Sequence, residues 1–233
     1  MKTLDTLTAT SPGRNNSLRH HLLYAGYTLL LFVFLPLLLS AADILPEFSE
    51  KYIAAAEKKY GSGARTRMQA WERLISENRN KPEMEKLQIV NDFANKTPYM
   101  LDKKQWGIEN YWATPAQFVA SNNGDCKAYA IAKYFTLVAM GVDSSKLKIT
   151  YVRATREAHM VLAYYPQPDA VPLILDNLIP YIKPASQRPD LKPIYSFNGD
   201  GLWLVKSQTE NRVGNSSNIR FWREMRNRMG KEF

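Results

Sequence analysis

Between residues 48 and 95 apolar side chains recur every three or four positions. Tyr52, Ile53, Ala56 and Tyr60 form one stripe, Met68, Trp71, Leu74 and Ile75 a second, and Leu87, Val90 and Phe93 a third. This period predicts amphipathic helices over 48–60, 64–78 and 83–95. They are broken at Gly61-Ser62-Gly63 and at Asn80-Lys81-Pro82. Residues 96–112 carry aromatics without a period and read as irregular. Thr114-Pro115 then opens a short helix, with Thr114 as N-cap, Pro115 at the first helical position, and Phe118 and Val119 inward. Asn122-Asn123-Gly124 interrupts it. Asp125 is a natural N-cap for a further helix that runs to Met140 and stops at Gly141. Tyr129, Ala132, Tyr134, Phe135, Val138 and Ala139 give that helix enough apolar surface to be largely buried.

Beyond Gly141 the period shortens. Strands are expected over 147–152, 158–165, 171–178 and 202–205, the last after the turn Asn198-Gly199-Asp200-Gly201. The runs 158–165 and 171–178 flank Pro166-Gln167-Pro168-Asp169 and read as an antiparallel pair. Helices followed by strands predict an α+β domain, its helical N-terminal part packed on an antiparallel sheet. Residues 220–231 form a basic amphipathic tail with Trp222, Met225 and Met229 on one face. It reads as a docking helix with a solvated outer face, ahead of a membrane-surface helix.

The first 42 residues change the picture. A polar stretch with Lys2, Arg14 and Arg19 precedes an apolar run to Leu39, and Ser40-Ala41-Ala42 supplies small residues for cleavage. Residues 1–42 therefore read as a signal peptide or, if retained, a signal anchor, and 43–233 as one exported, periplasmic domain. A retained leader is the only membrane attachment expected. The chain carries a net charge of +9, of which the leader holds +2, from Lys2, Arg14 and Arg19 against Asp5. The remaining +7 is spread along the chain without a nucleic-acid motif, so no nucleic-acid partner is expected.

Cys126 is the only cysteine. Exported proteins use cysteines mainly in disulfides, and a lone one cannot form a bridge within the chain. Here it follows an N-cap, where free N–H groups and the positive end of the helix dipole favour a thiolate. A thiol nucleophile needs a base, and outside the leader there is one histidine, His159. A third group must orient the imidazole. If Pro166–Asp169 forms the loop, Tyr165 pairs with Ala170 and His159 faces Asp176 from the neighbouring strand. A one-residue slip would change that partner. Asp169 reads as a loop residue, and Asp190 lies in a proline-rich loop without a register argument. The chemistry expected is attack of the Cys126 thiolate on a carbonyl, proton donation by His159 to the leaving amine, and hydrolysis of an acyl-enzyme. The Cys126 backbone N–H is one expected oxyanion donor.

Tyr111-Trp112-Ala113-Thr114-Pro115, Gly124-Asp125-Cys126, Ala158-His159-Met160-Val161-Leu162 and Leu175-Asp176-Asn177 resemble the bacterial transglutaminase-like cysteine proteinases. Tyr195-Ser196-Phe197-Asn198-Gly199 and Leu202-Trp203 extend the likeness over residues 48–205. The resemblance implies a papain-like, transglutaminase-type fold and a catalytic triad of Cys126, His159 and Asp176. It also implies a protein substrate, a large surface adhesin cut near its N-terminus at a paired-alanine site to release biofilm cells. The implied partner is an inner-membrane receptor for cyclic di-GMP. Members of the family carry acidic residues just after the cysteine that help to bind calcium. Here those positions are Lys127 and Ala128, and Asp125 alone remains as a metal-ligand candidate. A hard cation wants several oxygens, so weak or absent calcium dependence is expected.

Two other functions share these residues. The same triad supports acyl transfer to an amine, and a binding module with a vestigial site would regulate without cleaving.

Overall fold

The computed structural model describes residues 45–155, 157–206 and 209–233; the expected leader, 1–42, lies outside them. Ser49 starts the first helix, because its hydroxyl accepts from the Tyr52 N–H at 3.3 Å, and α1 spans Glu50–Tyr60. The expected break at Gly61-Ser62-Gly63 narrows to one residue. Gly61 takes the positive φ of 84°, and Ser62 already belongs to α2, Ser62–Asn78. Helix α3 is Glu83–Asn95. The stretch expected to be irregular contains a short helix, α4, Asp102–Trp106, closed by Gly107. Helix α5 is Pro115–Ser121. Its capping box pairs the Thr114 hydroxyl with the Gln117 N–H at 3.1 Å and the Gln117 side chain with the Thr114 N–H at 3.0 Å.

Helix α6, Cys126–Ala139, is the centre of the molecule. Every side chain from Ala128 to Val138 is buried, so it has no solvent stripe and must be packed on all sides. Helices α3 and α5 and strands β1 and β2 cover it. Its C-terminal end is closed by Lys86 of α3, which donates to the Met140 carbonyl at 2.9 Å.

The strands are β1 Leu147–Ala154, β2 Glu157–Tyr164, β3 Leu173–Leu175, β4 Lys183–Pro184, β5 Leu191–Phe197, β6 Leu202–Lys206 and β7 Thr209–Gly214. They form one antiparallel sheet in the order β4-β3-β2-β1-β5-β6-β7. Met160, Leu162 and Tyr164 join the main core with the helices, whereas Val161, Ala163 and Ile174 join a smaller cluster with Val152.

Three strands lie outside the expected set: β4, β5 and β7. Strand β5 is central, yet it contains Pro193. Its ladder to β1 shifts between Tyr151 and Val152, and this irregularity accommodates a residue without an N–H. The β2–β3 register also differs from expectation. Tyr164 pairs with Leu173 and Leu162 with Leu175, two residues from the predicted alignment. Pro172 has no N–H for the ladder and its carbonyl accepts from Ala185, so the connection is longer than four residues.

The basic tail forms α7, Arg220–Arg228. Trp222 and Met225 are buried, and Trp222 stacks on Phe135 at 5.5 Å and meets Phe197 edge-on at 5.2 Å. It is thus part of the core as well as a docked surface element. Trp222→Ala is expected to cost about 3–5 kcal/mol in denaturant unfolding, through lost transfer energy and an unfilled cavity. Among the described residues, no helix is long and apolar enough to cross a membrane.

Candidate active site

The turn that carries Cys126 is set by close packing. A Cβ on Gly124 would lie 2.6 Å from the Phe118 ring and 2.8 Å from Ala128 Cβ, so only glycine fits there. The Gly124 carbonyl accepts from the Met100 N–H at 2.9 Å, which ties the turn to the segment before α4. Asp125 Oδ1 accepts from the N–H groups of Lys127 at 3.1 Å and Ala128 at 3.4 Å, as its N-cap role requires. Cys126 is thereby held in the first turn of α6, half-buried, as a free thiol.

His159 lies on β2, opposite Val152 of β1. Its Nε2 is 2.7 Å from Asp176 Oδ1, and the half-buried Cys126 thiol acts on the same ring electrostatically. Asp176 follows the last residue of β3. The two-residue difference in register preserves side-chain parity, so His159 and Asp176 remain on one side of the sheet as diagonal neighbours. Of the three residues picked out from the sequence, His159 and Asp176 are thus in direct contact, and Cys126 is close enough to act on the ring. Asp169 is an exposed loop residue.

The electrostatics favour a charged pair. Burial works against charging His159, but the hydrogen bond to Asp176 and the nearby Cys126 outweigh it and raise its pKa to about 9. Burial would also raise Asp176; the His159 and Arg188 contacts and the Leu178 N–H, at 3.1 Å from Oδ1, instead lower it to about 2. An imidazolium flanked by a carboxylate and a thiol is the arrangement a thiol nucleophile needs.

Several residues that support the site have no marker in the sequence. Arg188, at the end of a 3₁₀ turn, is buried and donates through Nη2 to Asp176 Oδ2 at 2.8 Å. Asp190 holds the same guanidinium, accepting from Nε at 3.0 Å and from Nη2 at 2.8 Å. The proline-rich loop thus reaches the site indirectly, through Arg188. From α3, Asn95 donates to the Asp176 carbonyl and Asn91 to that of Pro180, both at 2.9 Å. Lys133, buried in α6, donates to Asn91 Oδ1 at 2.8 Å, and burial lowers its pKa to about 7.

Arg188→Met is expected to reduce stability by roughly 3 kcal/mol, because it leaves a buried carboxylate with half its compensation. Chemical denaturation measures this. The acid limb of the activity profile should also move to higher pH, since Asp176 loses a charge that disfavours its protonation.

Asp125 and Lys127 form a second cluster with Asp102 of α4. Lys127 Nζ lies 2.9 Å from Asp102 Oδ2 and contacts Asp125 Oδ2. Burial opposes the lysine charge, but the two carboxylates more than offset it and raise its pKa. Among the described residues, no group of three or more His, Cys, Asp or Glu side chains is arranged to hold a metal ion. Asp125, the metal candidate, spends both oxygens on its own helix and on Lys127, so these residues do not fit a calcium ion.

The comparisons with known proteins agree with this architecture. The family model described as bacterial transglutaminase-like cysteine proteinase matches residues 62–191. A structure of Legionella pneumophila LapG is similar at 43% identity and a TM-score of 0.69, covering 79% of this chain and 99% of that one. The EGTA-treated form matches at 43% identity and 0.70 over the same shares. The calcium-bound form matches at 42% identity and 0.65, over 75% of this chain and 98% of that one. No curated protein sequence matches. The family model spans more than half of the chain, and the chain belongs to the bacterial transglutaminase-like cysteine proteinases, with the activity of a cysteine peptidase.

Proposed function

We propose that the protein is a periplasmic endopeptidase that cleaves a large cell-surface adhesin near its N-terminus and so releases attached cells. The observation that carries this reading is the 2.7 Å contact of His159 with the buried Asp176 carboxylate, on a ring that also responds to the thiol at the start of α6, the three groups coming from separate segments. Cys126 acts as nucleophile, His159 as acid and base, and Asp176 as the group that orients the ring. The thiolate attacks the scissile carbonyl, and the developing oxyanion is met by the Cys126 N–H at the start of α6. The imidazolium gives its proton to the leaving amine. Water, deprotonated by the same ring, then hydrolyses the thioester and regenerates the thiol.

Residues 1–42 serve as export signal or anchor, and 43–233 as the protease domain. An inner-membrane receptor that responds to cyclic di-GMP holds the enzyme away from its substrate. These assignments rest on the likeness of the sequence motifs to the adhesin-releasing branch of the family.

The test is incubation of wild type and Cys126→Ala with the N-terminal region of a secreted adhesin of the same cell, under reducing conditions. The expected result is one internal cut by wild type and none by the variant. Cleavage by both proteins, or by neither, would sink the reading. An added primary amine separates the alternatives: an amide-linked product in place of the free acid would mark an acyl transferase.

A further inference from the structure

We propose that the Lys127 ammonium is a tethered cation that bridges Asp102 and Asp125, holds the first turn of the nucleophile helix in place, and makes this domain independent of calcium. The two carboxylates come from different elements, the first turn of α4 and the N-cap of α6. Each side chain is nearly buried, at 6% and 8% exposure, and Lys127 itself at 15%. Two anions so enclosed repel one another unless positive charge lies between them. Lys127 Nζ supplies it, with Asp102 Oδ2 at 2.9 Å and Asp125 Oδ2 in contact. Calcium binding calls for six to eight oxygens at about 2.3–2.6 Å. Here Asp125 Oδ1 is committed to two backbone N–H groups, and the next side chain along the helix is the buried methyl of Ala128.

The location gives the bridge its consequence. Cys126 stands between Asp125 and Lys127, both of which belong to the cluster. Through it α4 is clamped to the turn that carries the thiol. Lys127 is a positioning residue, since its ammonium is engaged by carboxylates. Legionella pneumophila LapG, by contrast, is known in a calcium-bound and an EGTA-treated form.

The experiment measures calcium binding by calorimetry and thermal unfolding, with calcium chloride or EGTA, on the protein expressed from the full chain. Wild type is expected to give no binding heat and the same melting temperature in both. Binding heat with a calcium-dependent rise in melting temperature would overturn the proposal. Lys127→Glu replaces the ammonium by a third carboxylate. It is expected to melt lower in EGTA and to gain roughly 5 °C or more at saturating calcium. A folded Lys127→Glu domain indifferent to calcium would count against the assignment.

If that variant does not fold, Lys127→Met and Lys127→Arg carry the test. Methionine keeps the stem without the charge and should melt several degrees lower, with calcium giving no rescue, whereas arginine should retain most of the wild-type value. Equal melting of all three would reject a bridging role. The effect on peptidase activity rests on the function proposed above. The binding and melting measurements need no substrate, so a failed cleavage assay does not touch them.

Discussion

Replacement of Asp176 by asparagine is expected to lower kcat/KM by about 10³–10⁴-fold and to move the basic limb of the pH profile down by more than a unit. The carboxylate accepts from His159 Nε2 and the Leu178 N–H through Oδ1, and from Arg188 Nη2 through Oδ2. An amide has one oxygen. With that oxygen toward His159, its NH₂ faces a buried guanidinium, donor against donor; flipped, it faces the ring N–H. Either arrangement leaves a donor unmatched and the Arg188 charge compensated only by the exposed Asp190.

The pH dependence follows from the same contacts. His159 is raised from its ordinary 6.5 to about 9, with Asp176 the leading favourable cause after the opposing effect of burial. A group raised on folding contributes stability that is complete below the unfolded value and is lost as pH rises through the folded one. Wild-type stability should therefore fall between pH 6.5 and about 9, by on the order of 2 kcal/mol. Asp176 has the opposite sign. Its pKa is lowered from 3.8 to about 2, so its contribution holds above pH 4 and disappears as pH falls toward 2. In Asp176→Asn the acid slope should be absent and the alkaline one reduced to the part that Cys126 contributes, which urea titrations at stepped pH would show. A variant with the wild-type profile would remove Asp176 from the site.

Cys126→Ala is expected to abolish turnover, by at least about 10⁵-fold, while leaving the fold nearly intact. The loss is chemical, since no other thiol exists in the chain. The fold survives because the cap on α6 is made by Asp125 and its N–H partners, none of which involves the sulfur. Destabilisation should stay near 1 kcal/mol, as the removed atom is small and half-exposed. Alkylation gives an independent readout. Iodoacetamide should modify wild type at one position, and His159→Ala should react more slowly near neutral pH because the thiolate loses its imidazolium partner. Residual peptidase activity in Cys126→Ala would mean that another group is the nucleophile.

The motifs that depend on near neighbours could be read directly. Helix α3 runs from Glu83 to Asn95 as its stripe predicts, Thr114 and Asp125 cap α5 and α6, and Gly141, at φ 84°, stands just past the end of α6. Each of these is decided within a turn of helix by hydrogen bonds to adjacent N–H groups or by a backbone angle that glycine adopts freely. Parity alone kept His159 and Asp176 on one side of the sheet even though the pairing is displaced by two residues.

Legible from the residues alone were the reactive groups and the elements that carry them: one thiol at a helix start, one imidazole on a strand, an aspartate at the end of the next, in an α+β chain. The groups that support them emerge only once the chain is packed. Strand β5 was hidden by Pro193, Arg188 by the turn that aims it inward, and Asp102 by a segment without a period; Lys127 read as an obstacle to calcium until Asp102 was seen across from it. The difference is one of range. Capping and periodicity are settled by atoms a few residues apart, whereas ladder register, buried charge pairs and bridging contacts depend on where distant segments meet, which packing of the whole core around α6 determines.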